Sequence, residues 1–146
     1  MSDYDIPSNK KLSWLLEAVA GDLDISVEDS SSLDINISNV QFDSRKVEPG
    51  SLFVAVGGRH VDGYDFIPDA IRRGASAVVA SKQTKDISVP CLRVQDTRIA
   101  LAHLSAALYD YPARNLTVIG VTGTDGKTTT TNIIFEILKS AGFKIG

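Results

Sequence analysis

The chain has 146 residues, 43% of them hydrophobic, and a formal net charge of −3. That length supports one domain with a core, or a small domain plus a piece of another. The mildly acidic balance gives no reason to expect nucleic acid, and the single cysteine, Cys91, excludes an internal disulfide framework. The opening "MSDYDIPSNKK" lacks the apolar stretch of a signal peptide. No run approaches the roughly 20 apolar residues of a membrane-spanning helix. A soluble, cytoplasmic protein with no membrane or nucleic-acid partner is expected.

Residues 1–8 read as a loose terminus. Ser8 is placed to cap a helix over "NKKLSWLLEAVAG", in which Leu12, Leu15, Leu16 and Val19 share a face and Gly21 ends the run. Residues 22–32 are acidic and serine-rich, so a loop is expected. "LDINISNVQF" alternates as a strand, with a phase slip before Val40 and Phe42. Pro49-Gly50 signals a turn, and "SLFVAV" a compact apolar strand. "GGRHVDG" is a glycine-flanked polar loop. "YDFIPDAIRRG" is a short helix whose Pro68 must lie in the first turn. "ASAVVAS" and "CLRVQ" are short strands, and Cys91, in the apolar run "VPCLRV", reads as a core residue. "DTRIALAHLSAALYDYP" is a helix with Asp96 or Thr97 as cap and Pro112 as stop. "NLTVIGVTG" is expected as a strand over 116–121, and "GKTTTTNIIFEILKSAG" as a helix over 127–141 ended by Gly142. Strands alternating with helices argue an α/β fold. The best domain boundary falls at "YPARN", near residues 111–115.

The stretch "TVIGVTGTDGKTTTTN" holds the chemistry. The common phosphate loop has glycine, four residues, then Gly-Lys-Ser/Thr. Gly126-Lys127-Thr128 matches its end, but Val121 stands where the first glycine belongs. Gly123 and Gly126 let backbone N–H groups turn inward without Cβ clashes. The helix start adds unpaired N–H groups and a positive dipole end. Lys127 adds a full charge there, which is unfavourable without an anion. Thr128 offers a hydroxyl to a magnesium ion on the phosphates. β-branched threonines are mediocre helix formers, so four in a first turn suggest that some hydroxyls have a task. The alternatives are a solvated lysine and threonines that merely cap the helix.

"GVTGTDGKTTTT" resembles the ATP loop of the Mur ligases, which add amino acids to the UDP-linked peptidoglycan precursor. "FDSRKVEPGSLFVAVGGRHVDGYDFIPDAIRRGASAVVA" resembles their N-terminal domain. The resemblance covers about residue 38 to the end, with both halves in the family's order. It implies a mixed-sheet UDP-precursor-binding domain over residues 1–111. Residues 112–146 would then hold the first strand, phosphate loop and helix of a central P-loop-type ATPase domain. The loop is nearer to that of the ligases adding the third peptide residue (tripeptide synthetases) than to those adding D-Ala-D-Ala. By the same resemblance, Gly123, Thr124, Asp125, Gly126, Lys127, Thr128 and Thr129 would bind ATP. Lys127 would be catalytic and Thr128 a Mg2+ ligand. Phe42, Ser44, Arg59, His60 and Val61 would touch the UDP precursor. Asp125 departs from the family's usual asparagine; both suit a tight turn, but a carboxylate repels phosphate unless it faces away or toward magnesium. Asp43-Ser44-Arg45 could instead be a turn with a local ion pair, and His60 a surface histidine.

The resemblance further implies that ATP, with Mg2+, phosphorylates the D-Glu carboxylate of the UDP-N-acetylmuramoyl dipeptide, and that an incoming amino acid displaces the phosphate. The chain would be an N-terminal fragment, inactive alone as a ligase. Its apolar residues within 116–141 would pack on the first domain or on a second copy. Rival readings are a non-catalytic UDP- or nucleotide-binding module, a D-Ala-D-Ala-adding ligase, and folylpolyglutamate synthetase, against which the DSR block argues.

Overall fold

The computed structural model describes residues 9–28, 33–58, 62–84 and 87–146. The chain divides into two compact units, residues 1–112 and 113–146.

The first unit is built on a five-stranded sheet of β2 (Ile25–Val27), β4 (Asn39–Gln41), β5 (Ser51–Val54), β6 (Ala75–Ala80) and β7 (Cys91–Val94). Across the sheet the order is β2-β7-β6-β5-β4. Strands β4 to β7 are parallel, and β2 is antiparallel to β7. Helices cover both faces. Leu52 and Val54 join Ala77, Val79, Leu92 and Val94 beneath α1 (Leu12–Val19) and α3 (Thr97–Leu108). Phe53 and Ala55 face the other way and join Val78 beneath α2 (Ile67–Arg72). Every residue of β5 is therefore buried. This is why "SLFVAV" reads as an unbroken apolar run instead of an alternation. The strands at 75–80 and 91–94, and α2 with Pro68 in its first turn, follow the sequence expectation. Asp96 caps α3 through Oδ1, which accepts from the N–H groups of Arg98 (2.7 Å) and Ile99 (3.2 Å).

Several local expectations give way to long-range contacts. Helix α1 starts at Leu12, because Lys10–Lys11 form a strand, β1, antiparallel to β3 (Asn36–Ile37). The amides of Leu12 and Ser13 donate to the carbonyls of Ile35 (2.8 Å) and Leu33 (3.2 Å), so backbone takes the place of a side-chain cap. Ser8, the expected cap, lies outside the described residues. Gly21 does not adopt the left-handed form; the helix ends at Val19, and Asp22 and Leu23 both donate to the Val19 carbonyl. The run at 33–42 is two strands in two sheets, and the phase slip marks the crossing at Ser38, whose N–H donates to Gly50 O at 2.9 Å. Strand β2 lies where a loop was expected. Helix α3 ends before Pro112: Asp110 and Tyr111 are left-handed, at φ 57° and 52°. They are held there by bonds from their own amides to Ala107 O and Ala106 O and from the Tyr111 hydroxyl to Ala18 O (2.9 Å).

The second unit contains α4 (Lys127–Ser140). Gly142, at φ 85°, closes it: Phe143 N–H reaches Leu138 O and Gly142 N–H reaches Lys139 O. The strand expected over 116–121 is not formed. A strand exists only by pairing with a neighbour, and this unit holds no other strand among its residues. Leu116, Val118, Ile119, Ile133 and Ile137 are exposed. Among the described residues, no helix is long and apolar enough to cross a membrane.

Candidate functional site

Residues 123–129 are all exposed. Gly126 occupies the N-cap position of α4 at φ 76°, which glycine adopts without strain. A Cβ there would meet nothing within 4 Å, so backbone conformation, not crowding, calls for glycine. Gly126 has no side chain to cap the helix, and the first intrahelical bond runs from Thr130 N–H to Gly126 O at 2.9 Å. The N–H groups of Lys127, Thr128 and Thr129 lie ahead of that bond, at the positive end of the dipole. The Lys127 ammonium donates to the carbonyls of Gly123 and Thr124, the latter at 3.1 Å. It thus folds back onto its own loop, which softens the conflict between a cation and the helix start. Thr131 turns its hydroxyl back to Lys127 O at 2.9 Å, as helical threonines commonly do. Thr128 and Asp125 stand exposed beside the loop.

In the first unit, the loops leaving the carboxyl ends of β4, β5, β6 and β7 form the edge at which open parallel sheets bind ligands. Phe42, just after β4, is 63% exposed. Asp43 caps the following 3-10 turn and accepts twice from the Arg45 guanidinium, at 2.9 Å to Oδ1 and 2.8 Å to Oδ2. The DSR block is therefore a turn with a local ion pair. Ser44 is buried, and the Asp69 carboxylate of α2 binds Arg73 at 2.9 Å, the chief cause that holds its carboxyl below the usual value. Arg59, His60 and Val61 lie outside the described residues.

The Arg45 side chain, then its backbone N–H, hold the Asp43 carboxyl down to about 2, from 3.8. A depressed folded-state value means stabilisation that is complete above the unfolded value and lost as pH falls toward 2. Asp43→Asn is expected to flatten the fall in urea midpoint between about pH 4 and pH 2 while lowering the midpoint at pH 7. Parallel pH dependences for the two proteins would contradict this.

The structure also brings in side chains that sequence reading did not single out. The ends of the loop after β5 meet in an antiparallel bridge between Gly57 and Asp62. Arg98, at the start of α3, donates to Gly57 O at 3.0 Å. Lys82, after β6, pairs with Asp62 at 2.9 Å. Its own N–H donates to the Tyr64 hydroxyl, and its ammonium lies 4.9 Å from the Tyr64 ring centre. These partners stand 41, 20 and 18 residues apart, beyond any local motif.

Among the described residues, no group of three or more His, Cys, Asp or Glu side chains could hold a metal ion. The UDP-N-acetylmuramyl-tripeptide synthetase of Roseiflexus sp. (strain RS-1) is 51% identical over 108 residues, covering 73% of this chain and 21% of that protein. The UDP-N-acetylmuramoyl-L-alanyl-D-glutamate–2,6-diaminopimelate ligase of Alkaliphilus metalliredigens is 42% identical over 137 residues, covering 93% of this chain and 27% of its own. The crystal structure of the MurF ligase from Thermotoga maritima in complex with ADP superposes with a TM-score of 0.56 at 38% identity, covering 70% of this chain and 23% of that one. The chain thus spans about a fifth to a quarter of the length of the curated relatives it matches. The model of the Mur ligase family, catalytic domain, matches residues 36–110, just over half of its length, and the chain belongs to that family.

Proposed function

We propose that this chain is part of an ATP-dependent ligase that adds the third peptide residue to UDP-N-acetylmuramoyl-L-Ala-D-Glu in the cytoplasm. The observation that carries the reading is the exposed glycine-lysine-threonine loop at the start of α4, with three amides and an ammonium at one helix end. The names of the relatives, a tripeptide synthetase and a diaminopimelate-adding ligase, support the third residue over D-Ala-D-Ala.

In this reading, residues 1–111 bind the UDP precursor and residues 112–146 begin the ATP-binding domain. Residues 123–129 hold the phosphates of ATP. The backbone N–H groups fix the γ-phosphoryl group for in-line transfer to the D-Glu carboxylate, giving an acyl phosphate and ADP. Lys127 leaves the Gly123 and Thr124 carbonyls and offsets the charge that builds between the β- and γ-phosphates. The amino group of the incoming amino acid then attacks the acyl carbon and loses a proton, phosphate departs, and an amide forms. Phe42 and residues 59–61 contact the UDP portion. Ser44 stands with them in the proposal, at the buried start of the turn that follows Phe42. Thr128 offers one hard oxygen, which suits a magnesium ion held chiefly by phosphates and water. Magnesium bound with ATP would supply charge neutralisation.

Calorimetric titration with UDP-N-acetylmuramoyl-L-Ala-D-Glu and separately with magnesium-ATP tests the proposal. Binding of both is expected. Binding of the precursor alone would favour a non-catalytic UDP-binding module, and binding of neither would overturn the reading.

A further inference from the structure

We propose that Lys82, Asp62 and Arg98 are positioning residues that set the base of the loop after β5 for binding of the UDP precursor, an inference that rests on the function proposed above. The loop leaves and rejoins the sheet at one place. Gly57 and Asp62 bridge each other, and Gly63 N–H donates to Val56 O at 3.2 Å. Each end is then tied to a different strand exit. Arg98, following β7, holds the Gly57 carbonyl. Lys82, following β6, holds the Asp62 carboxylate, whose other oxygen accepts from Tyr64 N–H at 3.2 Å. The Tyr64 hydroxyl, accepting from Lys82 N–H, ties the same two segments a second time.

The charges at this edge are more useful for order than for folding. Lys82 and Asp62 keep side-chain exposures of 68% and 39%. A pair so wet adds little to global stability. What it does is hold the loop base in one arrangement before ligand arrives, and ordering done in advance is not subtracted from binding. Lys82 therefore acts through Asp62, not by touching the diphosphate.

The two roles predict opposite results for Asp62. Titrated with UDP-N-acetylmuramoyl-L-Ala-D-Glu, Lys82→Met is expected to bind roughly three- to tenfold more weakly than the parent. Asp62→Asn, which keeps an oxygen for the Tyr64 N–H, is expected to lose a similar factor. The double variant should lose no more than either single one, and Lys82→Arg should recover most of the loss. Melting midpoints should stay within about 2 °C of the parent. Asp62→Asn binding as well as or better than the parent, while Lys82→Met weakens, would make Lys82 a direct anion ligand and overturn the inference. A fall in melting midpoint that accounts for the loss would overturn it as well. A parent chain that does not bind the precursor would instead remove the functional reading beneath it.

Discussion

Lys127→Met should weaken magnesium-ATP binding by about 10- to 100-fold, with the fold intact. The estimate follows from losing hydrogen bonds to a charged group, each about 1.5–3 kcal/mol. The low end is favoured by what the ammonium does without ligand: it already bonds the Gly123 and Thr124 carbonyls, so phosphate must replace those bonds. The helix-start amides remain in the variant, so binding should be reduced and not abolished. Stability should barely move or rise slightly, since a cation is removed from the positive end of α4. Fluorescence titration with a labelled ATP analogue, alongside a thermal melt, reads both. Unchanged affinity would mean that the lysine merely ties the loop to itself, and the phosphate-binding role would fall.

Gly63→Ala should cost about 3 kcal/mol of stability and lower the melting midpoint by roughly 10–20 °C. A Cβ there would stand 2.5 Å from Val56 O, 2.6 Å from Val56 N and 2.8 Å from the Ala55 carbonyl carbon. All three are backbone atoms at the end of the buried strand β5, so no side chain can swing away. Relief requires parting the chain, which breaks the bond from Gly63 N–H to Val56 O and the Gly57–Asp62 bridge. Gly57→Ala is the control, because a Cβ there meets nothing within 4 Å. The two glycines flank one loop, and neither has a positive φ; Gly57 is exposed, whereas Gly63 is buried at the start of the 3-10 turn that follows. Equal melting midpoints for the two variants would refute the packing argument.

The glycine-lysine-threonine loop was legible because its signals are short-range. Glycine at 126, a cation at 127 and a helix start occupy a few consecutive residues, and the structure shows the left-handed cap and the helix where the residues place them. The DSR block was legible only in part. The ion pair of Asp43 and Arg45 is two residues apart and visible in the sequence, whereas the burial of Ser44 depends on α2 packing beside its turn. The pinning of the loop after β5 was not legible at all. Lys82 and Arg98 are ordinary exposed cations until the parallel sheet sets three strand exits side by side.

The same division runs through the fold. Residue order by itself determined the apolar strands at 51–54, 75–80 and 91–94, the Asp96 cap, the proline-started helix at 67–72 and the end of α4 at Gly142, because steric and hydrogen-bonding preferences at those points act within a turn or a strand length. Tertiary structure alone decided that Lys10 and Lys11 leave helix for strand, that 33–42 splits between two sheets, and that 25–27 becomes an edge strand. Each of those outcomes is settled by a partner distant in sequence that takes up backbone hydrogen bonds, and no local preference of about 1 kcal/mol or less outweighs that. Residues 116–121 show the converse: strand preference is present, and without a neighbour to pair with no strand forms.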